Sequence, residues 1–159
     1  MRMTATVAIA AMAITGFAYG VAAQQKTAPA AAALPKVTVY KTSSCGCCRL
    51  WVDHMKANGF DVQAMDISAS GVRDISKAAG LKDEDTSCHT AKIGNYTVEG
   101  HVPAADIKRM LKEKPAIAGL SAPGMPMGSP GMEQGSTKEP YDVIAFTKDG
   151  RSTVFAKHK

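Results

Sequence analysis

The chain has few cysteines, no long basic run and no internal repeat. Four cysteines among 159 residues are too few for a small scaffold held together by disulfides. Without a run of five or six basic residues, the formal net charge of +5 does not indicate a nucleic-acid surface. A 45% hydrophobic composition excludes a disordered chain. We therefore expect one globular domain, because this length disfavours two.

The N-terminal segment has the features of a secretory signal peptide. Arg2 precedes the apolar stretch 7–14, and residues 21–23 form a small-residue cleavage pattern. The apolar stretch is shorter than the roughly 18–20 residues of a membrane span, so we expect cleavage and no membrane span in the mature chain. The predicted organisation is a signal peptide over 1–23, an Ala/Pro-rich linker over 24–36 and a folded domain over 37–159.

Hydrophobic periodicity predicts alternating strands and helices. Residues 37–40 favour a strand, and a helix is expected from Cys45 to Ala57, with Ser43 or Ser44 as its N-cap. The remaining expected elements are strands near 60–67, 96–99, 141–147 and 153–156, a short strand into which 88–90 leads, and helices over 71–79 and from Pro103 to before Pro115. Segment 116–140 is rich in Gly, Pro, Ser and Met and is expected to be irregular.

The order of these elements indicates the fold. A helix between the first two strands implies a parallel crossover. A Cys-x-x-Cys motif at the start of that helix is typical of a thioredoxin-like arrangement. We predict an α/β, thioredoxin-like fold in which helices flank a mixed sheet, with an appended C-terminal β-hairpin.

Three of the four cysteines, Cys45, Cys47 and Cys48, occupy four positions at this predicted helix N-terminus. Unpaired amides and the helix dipole stabilise thiolates there, which makes them better nucleophiles and ligands. Cys88 precedes the third strand, where the loop of a thioredoxin-like fold faces the first helix. We therefore expect four sulfurs in one site. Thioredoxin-type enzymes usually have a cis-proline in that loop, and its absence favours a metal site over a disulfide exchanger.

Soft thiolates select Cu(I) or Zn(II). Adjacent Cys47 and Cys48 suit a single tetrahedral zinc ion poorly, whereas crowded thiolates can bridge several Cu(I) ions. Met125 and Met132 offer thioethers, which bind copper and are poor zinc ligands. The alternative is a flexible loop whose methionines only fill gaps. His101, just before the third helix, is a further candidate ligand.

The histidines are weaker candidates than the cysteines, and His89 is a candidate ligand on the same footing as His101. If Cys88 and His89 are both extended, their side chains point to opposite faces. His54 follows Cys47 by seven residues on one helix, which places it roughly 10 Å along the axis and too far away to share an ion. His158 is expected to be a solvated tail residue.

Four ordered motifs carry a family resemblance. They are Cys45-Gly46-Cys47-Cys48, Cys88-His89-Thr90, the segment 98–103 and the Pro-Gly-Met segment 123–132. The chain resembles, from Val37 to its end, the CopG-like periplasmic metal-binding proteins, a family filed as a domain of unknown function. The resemblance implies a thioredoxin-like fold, a periplasmic location, copper tolerance, and a multi-copper thiolate cluster on Cys45, Cys47, Cys48 and Cys88.

Three functions stay open at this point. The first is a periplasmic copper-binding protein, with copper redox cycling if it is an enzyme and other copper-handling proteins as partners. The second is a thiol–disulfide oxidoreductase using Cys45 and Cys48. The third is a structural zinc domain. In an oxidising compartment the metal-free chain is expected to form a Cys45–Cys48 disulfide, so metal loading should compete with oxidation.

Overall fold

The computed structural model describes residues 33–159, which form one seven-stranded mixed sheet with three α-helices. The elements in chain order are β1 (Val37–Lys41), α1 (Gly46–Ala57), β2 (Val62–Asp66), α2 (Ala69–Ala78), β3 (His89–Ile93), β4 (Tyr96–Gly100), α3 (Ala104–Glu113), β5 (Gly119–Ala122), β6 (Tyr141–Phe146) and β7 (Ser152–His158). A short 3-10 helix, Asp83–Asp85, precedes β3. The predicted signal peptide and linker residues 24–32 lie outside the described residues.

The strand order explains how distant sequence segments meet. The sheet runs β2-β1-β3-β4-β5-β6-β7, with β1/β2 and β4/β5 parallel and the other neighbours antiparallel. In the antiparallel β1/β3 pair, Lys41 is opposite His89. The end of β1 therefore lies beside the start of β3. Because α1 follows β1 and Cys88 precedes β3, this register brings both cysteine segments to the same edge of the sheet.

Successive side chains along each strand point to opposite faces of the sheet, and helices cover both faces. Ala91 and Val98 pair across β3 and β4 and belong to the main apolar core, which also contains Trp51 of α1 and Ile107 of α3. The next pair along, Thr90 and Glu99, points to the opposite face. There it meets Ser76 of α2. Helices α1 and α3 thus cover one face of the sheet, and α2 covers the other.

The α/β class and the mixed sheet predicted from the sequence are confirmed, and the thioredoxin-like assignment stays a prediction. The expectation that 116–140 is irregular throughout is wrong, because β5 lies within it, hydrogen-bonded to β4 and β6. A Cβ atom on Gly119 would collide with the Thr97 carbonyl oxygen, so only glycine permits this close pairing. Among residues 33–159, no helix has the length and apolarity needed to cross a membrane.

Candidate metal centre

Cys45 is the residue that caps helix α1. Its backbone is extended, and its Sγ accepts a hydrogen bond from the Cys48 amide at 3.3 Å. The prediction that Ser43 or Ser44 is the N-cap is therefore wrong. Both serines lie in the turn before the helix, where the Cys45 amide donates to the Thr42 carbonyl at 3.2 Å. The sulfur takes the acceptor role that a serine hydroxyl usually has.

The structure brings the four predicted cysteines together. All four Sγ atoms lie within 4.8 Å of one another. Cys45 and Cys48 form a disulfide, as anticipated for the metal-free chain, and Cys47 and Cys88 are free thiols. The Cys47 Sγ lies 3.5 Å from the Cys45 Sγ, and the Cys88 Sγ lies 3.4 Å from the Cys48 Sγ. Each sulfur of the disulfide therefore has a free thiol beside it.

Access to the two disulfide sulfurs differs. Cys48 is fully buried, whereas Cys45 is partly exposed. A cleft of about 380 Å³ borders Cys45 and Cys88 and extends to Arg73 on α2. A reagent from solvent therefore reaches the disulfide through Cys45.

Cys88 is held on a short arm formed by residues 86–88. The Ser87 amide donates to Glu99 Oε1 at 2.8 Å, and the Ser87 hydroxyl donates to the Gly124 carbonyl. Burial and the neighbouring Cys47 raise the pKa of the Cys88 thiol to about 12. Cys88 is therefore protonated at neutral pH, and binding it to a metal ion as a thiolate requires loss of that proton.

Two buried histidines extend the donor set. His101 Nε2 lies 3.2 Å from the Cys88 Sγ, and His89 Nδ1 lies 3.4 Å from it. Cys88 and His89 would point to opposite faces only if both were extended, and that condition is not met, because the chain bends at Cys88 and becomes extended only from His89 onward. Burial lowers the pKa of both imidazoles, that of His89 to about 3. Both rings are therefore neutral, the form that binds metals.

The two rings are oriented differently. His101 Nδ1 lies 2.8 Å from the Pro130 carbonyl oxygen, so Nδ1 carries the proton and Nε2 presents its lone pair toward Cys88. A backbone carbonyl on the second ring nitrogen is the usual support of a metal-binding histidine. His89 Nε2 is buried and has no hydrogen-bond partner among the described residues. The sulfur-rich donor set fits a soft metal ion.

The methionine-rich segment 123–132 packs against this centre. Pro130 contacts His101, and Gly131 lies so close to α1 that an added Cβ would be 2.7 Å from the Cys47 carbonyl oxygen. Met132 is half-buried, and Met125 is 53% exposed. Metal binding by these two thioethers stays a prediction.

The remaining histidines lie outside the centre. His54 Nε2 accepts a hydrogen bond from the Ala104 amide at 3.1 Å and so caps helix α3. The prediction that His158 is a solvated tail residue is wrong. Its ring stacks on Tyr141, and its Nε2 lies 2.8 Å from Asp106 Oδ2. Strand β7 extends to His158, beyond its predicted end at residue 156. That extension carries the ring to α3.

The chain is similar in sequence and in structure to known proteins. A family model described as a protein of unknown function, DUF411, matches residues 86–132. Two solved structures, described as copper resistance protein CopG in Form 1 and Form 2, are 38% and 39% identical to this chain. Each has a TM-score of 0.72 and covers 79% of this chain, which in turn covers 98% and 99% of them. The chain belongs to the CopG-like DUF411 family. No curated protein matches it.

The segment matched in this CopG-like chain contains half of the centre. It begins just before Cys88, passes through Glu99 and His101, and ends at Met132. The helix α1 cysteines precede it. Sequence reasoning ranked His89 low as a donor and overlooked Glu99 and the Pro130 carbonyl. A single charged residue inside the predicted strand 96–99 was the available signal for Glu99.

Proposed function

We propose that this protein is a periplasmic copper-binding protein of thioredoxin-like fold that holds several Cu(I) ions on a cysteine cluster and contributes to copper tolerance. The observation that carries the proposal is the meeting of four sulfurs within 4.8 Å. Soft sulfur donors at this density suit Cu(I), and neighbouring thiolates can bridge ions. The two relatives described as copper resistance proteins support the same choice of metal.

The ligands we assign are Cys45, Cys47, Cys48 and Cys88, with His101 as an additional donor. His89 forms a second donor group with Cys88 and His101, whose ligand atoms also lie within 4.8 Å of one another. Because the two groups share Cys88, its sulfur is placed to bridge ions held by each. His101 Nε2 is already deprotonated and oriented, so its binding needs no proton release.

The disulfide controls how many sulfurs are available. With Cys45 and Cys48 joined, only Cys47 and Cys88 remain as thiols. Two electrons reduce the disulfide and release two more thiols. We therefore expect reductant to increase copper uptake. Equal uptake by the oxidised and reduced proteins would contradict this expectation.

The test is an anaerobic Cu(I) titration of the reduced mature domain against a chromogenic copper chelator. The wild type is expected to bind more than one Cu(I) ion per chain, and Cys47→Ser and Cys88→Ser are each expected to bind fewer. Ser44→Ala is the control, because Ser44 is exposed beside the cluster and contributes no sulfur. A single ion per chain, or undiminished binding by Cys47→Ser, would refute the cluster. Stoichiometric zinc in protein from copper-fed cells would favour the structural zinc alternative.

One observation favours thiol–disulfide exchange as a second candidate function. The partly exposed Cys45 borders the 380 Å³ cleft, while its partner Cys48 is buried. Once an added dithiol has reduced the pair, the Cys45 thiolate would attack a substrate disulfide and release one substrate thiolate. Cys48 would then attack the mixed disulfide, release the second substrate thiolate and re-form the Cys45–Cys48 disulfide. Insulin reduction at the same rate with and without a copper chelator would support this function. Loss of copper binding in Cys88→Ser without any effect on insulin reduction would separate the two.

A further inference from the structure

Glu99 is a fully buried carboxylate in the middle of the sheet. Thr90 Oγ1 donates to its Oε2 at 2.6 Å, Ser76 Oγ lies 2.9 Å from the same oxygen, and the Ser87 amide donates to Oε1 at 2.8 Å. No lysine, arginine or histidine of residues 33–159 forms an ion pair with it. A buried carboxylate without a cation is costly unless hydrogen bonds satisfy its oxygens, and here three groups do so.

The two oxygens of Glu99 serve different parts of the molecule. Oε2 joins the sheet to α2 through Thr90 and Ser76, whose hydroxyl oxygens are themselves 2.7 Å apart. Oε1 holds only the Ser87 amide. Ser87 belongs to neither a helix nor a strand, and it is the residue directly before Cys88. The carboxylate thus connects the rigid sheet to the arm that carries the fourth sulfur.

This connection fixes where the Cys88 thiol lies. The Cys88 Sγ lies 3.4 Å from the Cys48 Sγ and 3.9 Å from the Cys47 Sγ. The opposite side of the arm is held by Gly124, whose carbonyl accepts from the Ser87 hydroxyl and whose amide donates to Thr86 at 3.0 Å. The Gly124 contacts come from a loop, whereas Glu99 comes from a central strand paired on both sides. Glu99 is therefore a rigid support of the arm, together with Ser121 of β5, whose hydroxyl donates to the Asp85 carbonyl at 2.6 Å.

We propose that Glu99 is a positioning residue that holds Cys88 in the cysteine cluster through the Ser87 amide. Its effect on metal binding rests on the proposed copper function, whereas its effect on the metal-free thiol does not. Burial raises the pKa of Glu99, and its three hydrogen bonds act in the opposite direction. Glutamine retains an oxygen that can accept from Ser87. Leucine has a similar size and lacks that acceptor.

The first experiment labels the metal-free, disulfide-containing protein with iodoacetamide and measures the ratio of Cys88 to Cys47 labelling by mass spectrometry. Glu99→Leu is expected to raise this ratio about tenfold, equivalent to about 1.4 kcal/mol, because the released arm exposes Cys88. Glu99→Gln is expected to stay close to wild type. Ser76→Ala, which weakens the Oε2 contacts and leaves Oε1 intact, is the matched control for general loss of stability.

An unchanged ratio in Glu99→Leu would overturn the proposal, as would an equal rise in Ser76→Ala. Should Glu99→Leu fail to fold, hydrogen exchange of the wild type decides, since the Ser87 amide is expected to exchange slowly despite lying outside a helix or strand. Fast exchange there would refute the contact.

Cu(I) titration of the reduced variants then tests the consequence for metal binding. Glu99→Leu is expected to bind Cu(I) about tenfold more weakly, whereas Glu99→Gln retains the wild-type affinity. If the wild type binds no copper, the proposed function fails, but the labelling ratio still decides the role of Glu99. If the ratio changes and copper affinity does not, the positioning role of Glu99 is supported and Cys88 is refuted as a copper ligand.

Discussion

Replacing Gly131 with alanine tests whether the methionine-rich segment orients His101. Gly131 has φ +85°, and an added Cβ would be 2.7 Å from the Cys47 carbonyl oxygen and 2.8 Å from the Trp51 amide nitrogen. Both atoms belong to the backbone of α1 and cannot rotate away. Restoring an ordinary 3.4 Å separation requires the segment to lift by about 0.7 Å (3.4 − 2.7). Moving the neighbouring Pro130 by that amount lengthens its 2.8 Å contact with His101 to about 3.5 Å, beyond normal hydrogen-bond geometry.

Gly124→Ala is the matched control. Gly124 lies in the same segment with φ +69°, and nothing lies within 4 Å of its added Cβ. Both substitutions therefore incur the left-handed backbone penalty of about 1–2 kcal/mol, but only Gly131→Ala adds a steric clash. Overpacking costs about 1–3 kcal/mol and the lost hydrogen bond about 1 kcal/mol. Gly131→Ala should therefore be less stable than Gly124→Ala by about 2–4 kcal/mol.

Urea unfolding monitored by fluorescence measures this difference, because the single tryptophan, Trp51, is fully buried beside the clash. A Cu(I) competition assay should show a loss of affinity of about 10–100-fold, the usual cost of removing the partner that orients a metal-bound histidine. If Gly131→Ala and Gly124→Ala agree within about 0.5 kcal/mol, the segment does not rest on α1 as described, and the orienting role of Pro130 is refuted.

Two further substitutions test contacts away from the cysteines. Burial lowers the pKa of His54 more than Glu133 raises it, so the folded pKa lies below the ordinary histidine value of 6.5. The unfolded chain then binds more protons, and stability falls as the pH drops from 6.5 through the folded pKa. His54→Gln, which can still accept from Ala104, should lose that pH dependence in thermal unfolding; equal slopes in both proteins would contradict it. Asp106→Ala should lower stability by about 1 kcal/mol and speed hydrogen exchange at the end of β7, because His158 loses its partner, whereas Asp106→Asn should exchange at the wild-type rate. Unchanged exchange in Asp106→Ala would show that the pair does not hold the strand.

The elements with strong local patterns could be predicted from the sequence. Residues 37–40 are β-branched or aromatic, and α1 ends at Asn58-Gly59, so both elements were located to within a residue or two. Strand β5 could not be predicted, because Gly119-Leu120-Ser121-Ala122 contains one large apolar residue and three weak strand formers. Its conformation comes from pairing on both sides with β4 and β6. That pairing is tertiary and leaves no periodic signal.

The candidate site also has a part that could be predicted from the sequence and a part that could not. The clustering of Cys45, Cys47 and Cys48 is visible in the sequence, and the position of Cys88 followed from the expected strand order. The orientation of His89 depended on a backbone bend at Cys88, which residue spacing does not encode. The buried hydrogen bonds of Glu99 depended equally on the register between β3 and β4.

The segment between β5 and β6 begins and ends on neighbouring antiparallel strands. Its two ends are therefore held a fixed short distance apart by the sheet, whatever lies between them. Doubling the length of such a loop costs only about 0.6 kcal/mol of closure entropy. The stretch 133–140, which follows the part that supports His101, can thus gain, lose or exchange residues while the sheet and the four cysteines stay in place. Variation in length among relatives, and deliberate grafting of other sequences, should concentrate after residue 132, where the match to the family model ends.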